Sequence, residues 1–301
     1  MNNKIRNATF AYSYLFPSAI LTLVLGIYPI AWAFRYMFYN YKGYGTARFI
    51  GLDNFTRIMH DTQFWDSVLN TFVYAGGKLL LSIPLSLLLA AILNRGLRGK
   101  HVLRAVFFMP TVISTAVMAV VFFTIFNSYN GILNQFLIKF NISAAGIDWL
   151  GPKHAMLTVI LVAVWGAVGN YMLLFLAGLQ NIPEDVYESS SLDGANKIQQ
   201  FRFITLPMLG PVMQMIIMLA IITALKGYES IMVLTEGGPV GKTEVMFLYL
   251  YKLFFPLGGG AASTQVQEFG YGSAVSFVTA IIVGMVSVVY FYASRRMNRI
   301  D

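Results

Sequence analysis

Cysteine is absent from the 301 residues, which excludes disulfides and thiolate metal sites and leaves the redox compartment open. Histidine is almost absent. His60, His101 and His154 lie far apart and form no H-E-x-x-H, a pattern that argues against a metal enzyme. Charge is scarce as well, at 11% of residues, where a soluble domain carries about 25%. A chain this poor in charge cannot cover its surface for water, but it can bury itself in lipid. Acids are the scarcer sign, with 13 Asp and Glu against 21 Lys and Arg and a net charge of +8. The basic residues are scattered between apolar runs, which excludes a nucleic-acid patch and suits the anchors of a membrane protein.

A nucleotide loop is missing too, although one stretch imitates it. Residues 235 to 244 read TEGGPVGKTE. A phosphate-cradling P-loop needs G-x-x-x-x-G-K-[ST], so that backbone N–H groups and the lysine converge on phosphate. Counting back from Gly241, Lys242 and Thr243, the first glycine should stand at 236, which is Glu236. Gly237 is one residue too close, and Pro239 removes an N–H.

What the sequence does contain is apolar length. Hydrophobic residues make up 57%, with a mean hydropathy of +0.65. A membrane helix needs about 20 mostly apolar residues. Six runs meet that length, at 10–36, 71–93, 102–125, 155–179, 208–234 and 271–294. The first is too long for a signal-peptide core and lacks a small-residue cleavage site, so it is expected to be retained. Pro17, Pro29, Pro84, Pro110 and Pro211 interrupt the runs or their ends, which a packed bundle tolerates by satisfying the freed carbonyls.

An even number of spans puts both termini on one side. That side carries Lys4, Arg6, Arg295, Arg296 and Arg299, the compact set Arg95, Arg98, Lys100 and Arg104, and also Lys197 and Arg202. This density in short segments predicts a cytoplasmic face with both termini on it. By the same parity the stretch 235–270 is expected outside, where no ATP is available; Gly237, Gly238, Gly258, Gly259 and Gly260 would let this loop shift, and Lys242 and Lys252 would meet acids on an approaching protein.

The segment 181–207, NIPEDVYESSSLDGANKIQQFRFITLP, is too patterned for a linker. Pro183 followed by Glu184 and Asp185 suits a helix start, with acids at the positive end of the dipole. Val186, Tyr187, Ser190 and Leu192 give that helix a packing face, and Gly194 ends it at a sharp turn. A second short helix, from about Asn196 to Phe203, offers Ile198, Phe201 and Ile204 to a partner or to the membrane edge, and Pro207 opens the next span. The expectation is a helix–turn–helix bracket projecting from the membrane, with an apolar face that can fill a groove on a soluble protein.

The spacing E-x-x-x-x-x-G, nine residues, then I-x-L-P resembles the cytoplasmic EAA loop of binding-protein-dependent ABC transporter permeases. Glu188, Gly194, Ile204, Leu206 and Pro207 stand in register, and Asp193-Gly194-Ala195 is similar to the sugar-importing branch, the maltose and glycerol-phosphate type. Ser189 and Ser190 depart from it, standing where the family has two alanines. Thr235-x-Gly237-Gly238-Pro239 resembles the T-x-G-G-P that follows the fifth span in that branch. Gly270-Tyr271-Gly272-Ser273-Ala274 resembles its last-span start, and Gly51-Leu52-Asp53-Asn54-Phe55 the segment after the first span.

The resemblance implies an all-α integral membrane protein of the type I ABC importer permease fold, a single domain over 1–301 with six spans and the EAA loop at 181–207. It implies a multi-pass subunit of a prokaryotic plasma (inner) membrane that is not itself an enzyme. Two cytoplasmic ABC ATPases would dock on the EAA loops of a pair of permeases, the second a similar chain, and would carry the ATP and Mg; this chain holds no cofactor. An extracytoplasmic solute-binding protein would deliver a sugar or oligosaccharide. Glycerol-phosphate or another small polar solute is the alternative cargo, and a channel or secondary transporter without an ATPase the remote one. The coupling residues carried over are Glu188, Ser189, Ser190, Asp193, Gly194, Ala195, Ile204, Leu206 and Pro207.

Polar groups in lipid usually face a bundle interior or a watery cavity. Trp165 and Asn170 in the fourth run, and Thr223, Lys226 and Glu229 in the fifth, are of that kind. By register with the family, Ala167, Asn170, Ala220, Thr223, Ala224 and Gly227 fall on substrate-facing positions; helix packing is the competing role for the small ones. Lys226 and Glu229, three apart, either pair or snorkel. Lys78, near the outer start of the second run, is expected to snorkel.

Overall fold

The computed structural model describes residues 3–95, 98–255 and 267–297, with side chains from 12 to 294 within those ranges. Gly258, Gly259, Gly260 and Arg299 lie outside the described residues. Among the described residues, five helices are long and apolar enough to cross a membrane: Tyr12–Tyr36 (α1), Thr62–Leu93 (α3), Ala155–Gln180 (α7), Gly210–Leu234, and Phe269–Ser294 within the helix Phe269–Met297 (α13). The fifth run breaks into Gly210–Leu225 (α10) and Glu229–Leu234 (α11).

The run 102–125 is not one continuous span. It is a pair, Lys100–Val112 (α4) and Thr115–Ile125 (α5), bent by 98° and followed by the short helix Ile132–Lys139 (α6). Pro110 lacks the N–H that would continue the ladder, and Ile113 and Ser114 are extended at ψ 133 and 134. Ile113, β-branched, tolerates that conformation, and Ser114 then starts a new helix, its carbonyl accepting from Met118 N–H at 2.9 Å. The second span starts earlier than expected, at Thr62, because TQFWDSVLNT is helical without being apolar. The segment 235–270 is not all loop either. MFLYLYKLF folds as the helix Met246–Phe254 (α12), too short to cross a bilayer.

Two compact units divide the chain. One comprises 1–61 and 250–281, the other 62–249 and 282–301. In the first, α1 is followed by a two-stranded antiparallel ribbon, Tyr39–Asn40 (β1) and Arg48–Phe49 (β2), and by the helix Asp53–His60 (α2). Tyr39 pairs with Phe49 and Asn40 with Arg48. Phe34, Phe38, Phe55 and Phe277 pack edge-on or tilted at centroid spacings of 5.7–6.3 Å. The G-L-D-N-F motif does structural work here: the Asn54 amide donates to the carbonyls of Met37 (2.9 Å) and Tyr39 (3.2 Å), satisfying the end of α1. The G-Y-G-S-A motif does likewise. Gly270 N–H donates to the Tyr41 carbonyl at 2.9 Å, and a β-carbon at Gly270 would collide with the Tyr39 carbonyl.

The second unit is organised by α3 against α7. Leu93, Tyr171, Met172, Phe175, Leu209 and Ile216 form its fully buried core. Ser86 donates across the seam to the Val168 carbonyl at 3.0 Å. A β-carbon at Gly169 would run into the backbone of Phe107, so glycine lets α4 and α7 approach closely.

Candidate functional site: a bracket, a cavity and a clasp

The bracket forms as the residues dictate. Glu184–Leu192 (α8) carries Glu184 and Asp185 in its first turn. Gly194 follows at φ +85, a conformation glycine adopts without steric cost, and Asp193, Gly194 and Ala195 N–H groups cap the carbonyls of Ser189, Ser191 and Ser190 at 2.9–3.1 Å. Asn196 begins the second helix, Lys197–Gln200 (α9), with a reciprocal cap: its side chain accepts from Ile198 and Gln199 N–H, and Gln199 accepts from Asn196 N–H at 2.8 Å. A wider π turn, Phe201–Thr205, then leads to Pro207, whose ring would crowd a regular helical turn. The second helix is therefore shorter than expected as an α-helix, and its continuation runs into the fifth span.

A polar core missed in the sequence holds the two arms together. Gln200 is buried, and its amide donates to Ser190 Oγ (3.0 Å), Ser191 Oγ (2.8 Å) and the Tyr187 carbonyl (3.3 Å). The Tyr187 and Thr205 hydroxyls share a bond of 2.9 Å. Ser190 is thus no idle replacement of alanine: it meets a buried amide. Ser189 bonds only its own helix, to the Asp185 carbonyl at 2.8 Å. A glutamine ten residues after the second serine was the available signal.

The expected packing face needs one correction. Val186, Tyr187 and Ser190 turn inward, but Leu192 is 89% exposed. Nine positions into its helix, it has rotated off the inward stripe and stands at the turn. Ile198 and Phe203 are also exposed, at 79% and 69%. Glu188, Ser189, Asp193, Gly194 and Pro207 are exposed, while Ala195, Ile204 and Leu206 are half-buried. Asp193, Gly194, Ala195, Gln199, Phe203 and Ile204 line a shallow hollow of about 280 Å³.

The cavity lies within the same unit, at about 550 Å³, and side chains of α3, α4, α5, α7, α10 and α11 line it. The bend at Ile113 and Ser114 helps to make it: Pro110, Thr111, Ile113 and Thr115 are on its wall. The break between α10 and α11 adds Lys226, Gly227, Tyr228, Glu229 and Ser230. Three of the expected pathway residues line it, Ala167, Thr223 and Gly227. The Thr223 hydroxyl shares a 2.9 Å bond with the Tyr171 hydroxyl and donates to the Ala220 carbonyl at 3.1 Å. Ala220 and Ala224 are instead buried in helix packing. Asn170 does not line the cavity; it is exposed on α7, one turn beyond the lining positions Ala163, Gly166 and Ala167 on the same stripe.

Lys78 departs from the snorkelling expectation, since it lines the cavity. The break in the fifth span brings Lys226 and Glu229 to the same wall, both exposed, and among the described residues neither is in an ion pair. Tyr74, Lys78, Thr111 and Thr115 were missed as lining residues because they come from helices that no local motif marks.

The GGPVGKT stretch is a clasp. Gly238–Pro239 is cis, Glu236 and Val240 have positive φ, and the Thr235 and Thr243 hydroxyls bond at 2.7 Å. The clasp closes on α3: Gln63 donates to Glu244 at 2.7 Å, Asn70 donates to the carbonyls of Gly241 and Glu244, and Met246 N–H donates to Thr71 Oγ1 at 2.9 Å. The Thr243 side chain that a P-loop would offer to Mg is buried and donates to the Gly238 carbonyl.

The pattern of the family described as binding-protein-dependent transport system inner membrane component matches residues 82–299. The trehalose/maltose transport system permease protein MalF of Thermococcus litoralis is 33% identical over 294 residues, 97% of this chain and 96% of that protein. The arabinooligosaccharides transport system permease protein AraP of Bacillus subtilis is 33% identical, over 93% of this chain and 87% of its own length. A crystal structure of a bacterial alginate ABC transporter, in complex with alginate pentasaccharide-bound periplasmic protein, contains a chain of the same fold. Its TM-score is 0.84 at 23% identity, covering 99% of this chain and 98% of that one.

Proposed function

The chain belongs to the binding-protein-dependent transport system inner membrane components, and from that premise we propose that it is the permease subunit of an ABC importer for a sugar or oligosaccharide. The observation that carries the reading is the bracket. Leu192, Ile198 and Phe203 stand uncovered around the Gly194 turn, on a support locked by buried hydrogen bonds. Large apolar side chains held rigidly outward suit a soluble partner with a groove. Two cytoplasmic ATPases fill that role, supply the ATP and Mg chemistry, and pass their closing motion through the bracket to the spans.

A second, similar permease covers the stripe that ends in Asn170, and a solute-binding protein delivers cargo from the opposite face. The cavity supports the cargo class: Tyr74, Thr111, Thr115, Thr223 and Tyr228 line it, offering hydroxyls for sugar oxygens and rings for sugar faces. Curated relatives named for maltose, trehalose and arabinooligosaccharides support it too. Both termini and the bracket face the cytoplasm in this reading, and the clasp faces outward.

The test is isolation of the tagged chain from its native membrane. Two copies of an ABC ATPase should copurify, and vesicles should take up oligosaccharide only with ATP and the binding protein. A permease that purifies folded without any ATPase would sink the proposal. Asn170→Leu, at the seam assigned to the second permease, should weaken copurification of that permease and lower uptake with it. Lys242→Cys, in a chain with no natural cysteine, should react with an impermeant thiol reagent from outside; reaction only in broken cells would invert the topology.

A further inference from the structure

We propose that the cavity selects anionic cargo: Lys78 and Lys226 make it a station for an acidic saccharide, one whose sugar ring bears a carboxylate. The inference rests on the permease reading and narrows its solute. The observations are chemical. Two ammonium groups and one carboxylate, Glu229, line the same cavity of about 550 Å³, leaving one positive charge in excess. Among the described residues neither lysine is in an ion pair. Lysine inside an apolar span is costly, and it is retained where it pairs or serves a pathway. Here Glu229 offsets one of the two charges without pairing with either lysine, so the remaining compensating charge comes with the cargo.

The size of the excess discriminates further. One net positive charge matches a monoanionic carboxylate, whereas a phosphate dianion calls for a second unopposed cation, and Glu229 repels it. On the same wall the Thr115 hydroxyl can donate to the uncharged oxygens of the ring, and the Thr111 oxygen, whose proton goes to the Phe108 carbonyl at 2.7 Å, can accept from its hydroxyls. A neutral oligosaccharide accepts hydrogen bonds from the lysines in exchange for those of water, but it adds no opposite charge.

The deciding experiment uses the absence of cysteine from this chain. In the complete importer in lipid nanodiscs, with both faces accessible, Ala167→Cys places one thiol on the cavity wall. It is treated with two thiosulfonate reagents of equal length, one ending in sulfonate and one in trimethylammonium. With each rate divided by that reagent's rate on a free small thiol, the anionic reagent is expected to react about tenfold faster, because opposite unit charges feel opposite shifts in the same field. Lys78→Met with Lys226→Met should reverse the preference, leaving Glu229, while Arg at both positions should keep it. Equal rates, or a cationic preference in the Ala167→Cys chain with both lysines present, would overturn the proposal.

A second arm tests the cargo itself. Cells lacking this chain, and complemented cells, are offered a plant cell-wall hydrolysate containing neutral and uronic oligosaccharides together with sugar phosphates. Selective loss of uronic oligosaccharide uptake supports the inference. Loss of neutral sugars alone, or of sugar phosphates alone, overturns it. Loss of none counts against the sugar-importer reading, and the reagent ratio then decides the charge preference of the cavity by itself.

Discussion

The bracket at 181–207 and the clasp at 235–249 use the same materials to opposite ends. Both turn on a glycine at positive φ, Gly194 in one and Gly237 and Gly241 in the other, and both are rich in hydroxyls. In the bracket the polar groups point inward, to Gln200, and the apolar ones outward, as Leu192, Ile198 and Phe203. In the clasp the Thr235, Thr243 and Glu244 side chains bond inward as well, but Val245, Met246 and Leu248 follow them into the protein and Val240 alone of its apolar side chains stands exposed. The difference lies in what each segment has next to it. The clasp has the polar first turns of α3, whose Gln63, Asn70 and Thr71 engage it. The bracket has only its own two arms, so its apolar residues remain for another molecule. Exposed apolar side chains on a rigid frame signal a partner; a satisfied loop signals architecture.

The contrast breaks most sharply at Gly194. Gly194→Pro demands φ near −65° where the turn needs +85, so ATP-dependent uptake should fall by about tenfold or more while the spans still insert. Gly194→Ala meets no neighbouring atom, so only the backbone strain of about 1–2 kcal/mol remains, and uptake should fall less. Normal uptake by the proline variant would remove the turn from the coupling path. Glu244→Ala should act on the clasp through stability. Glu244 is buried and accepts from Gln63, so its loss should cost about 1–3 kcal/mol, read as a lower melting temperature of the solubilised complex. A thermal transition that does not move would show the clasp to be ornamental.

Smaller effects sharpen the bracket itself. Gln200→Leu and Ser190→Ala should each destabilise the arms by about 1 kcal/mol, and their double mutant should show coupling of about 0.5 kcal/mol or more. Strict additivity in ATPase copurification would mean the two side chains act separately. The smallest effect belongs to Lys242→Ala. The lysine is exposed and holds no phosphate, so stability should shift by less than about 0.5 kcal/mol and ATP hydrolysis by the complex should be unchanged. Loss of hydrolysis would revive the nucleotide loop that the glycine spacing excludes.

What could be read in advance followed the range of the interactions. The bracket is local: Pro183, Glu184 and Asp185 start a helix, Gly194 ends it, and Asn196 starts another, so neighbours in the chain decide its form. Its Gln200–Ser190 bond spans ten residues across the turn and escaped a reading made one helix at a time. The third run shows the opposite failure. Hydropathy sums over a window and cannot see a bend, so VLRAVFFMPTVISTAVMAVV passed for one span although Pro110 and Ser114 stood in it.

By itself, then, the sequence determined that this chain lives in a membrane, that its GKT lacks the glycine spacing of a nucleotide loop, and that a helix–turn–helix bracket stands at 181–207. Each follows from composition or from spacing within one segment. Only the tertiary structure decided which polar residues share a cavity. Lys78, Thr111, Thr223 and Lys226 come from three different runs. Asn170, which shares its stripe with Ala167, falls outside, and Ala220 and Ala224 pack against neighbours. Periodicity gives the face of a helix, but what that face meets, and where along its length, depends on breaks and crossings set by residues far away in the chain.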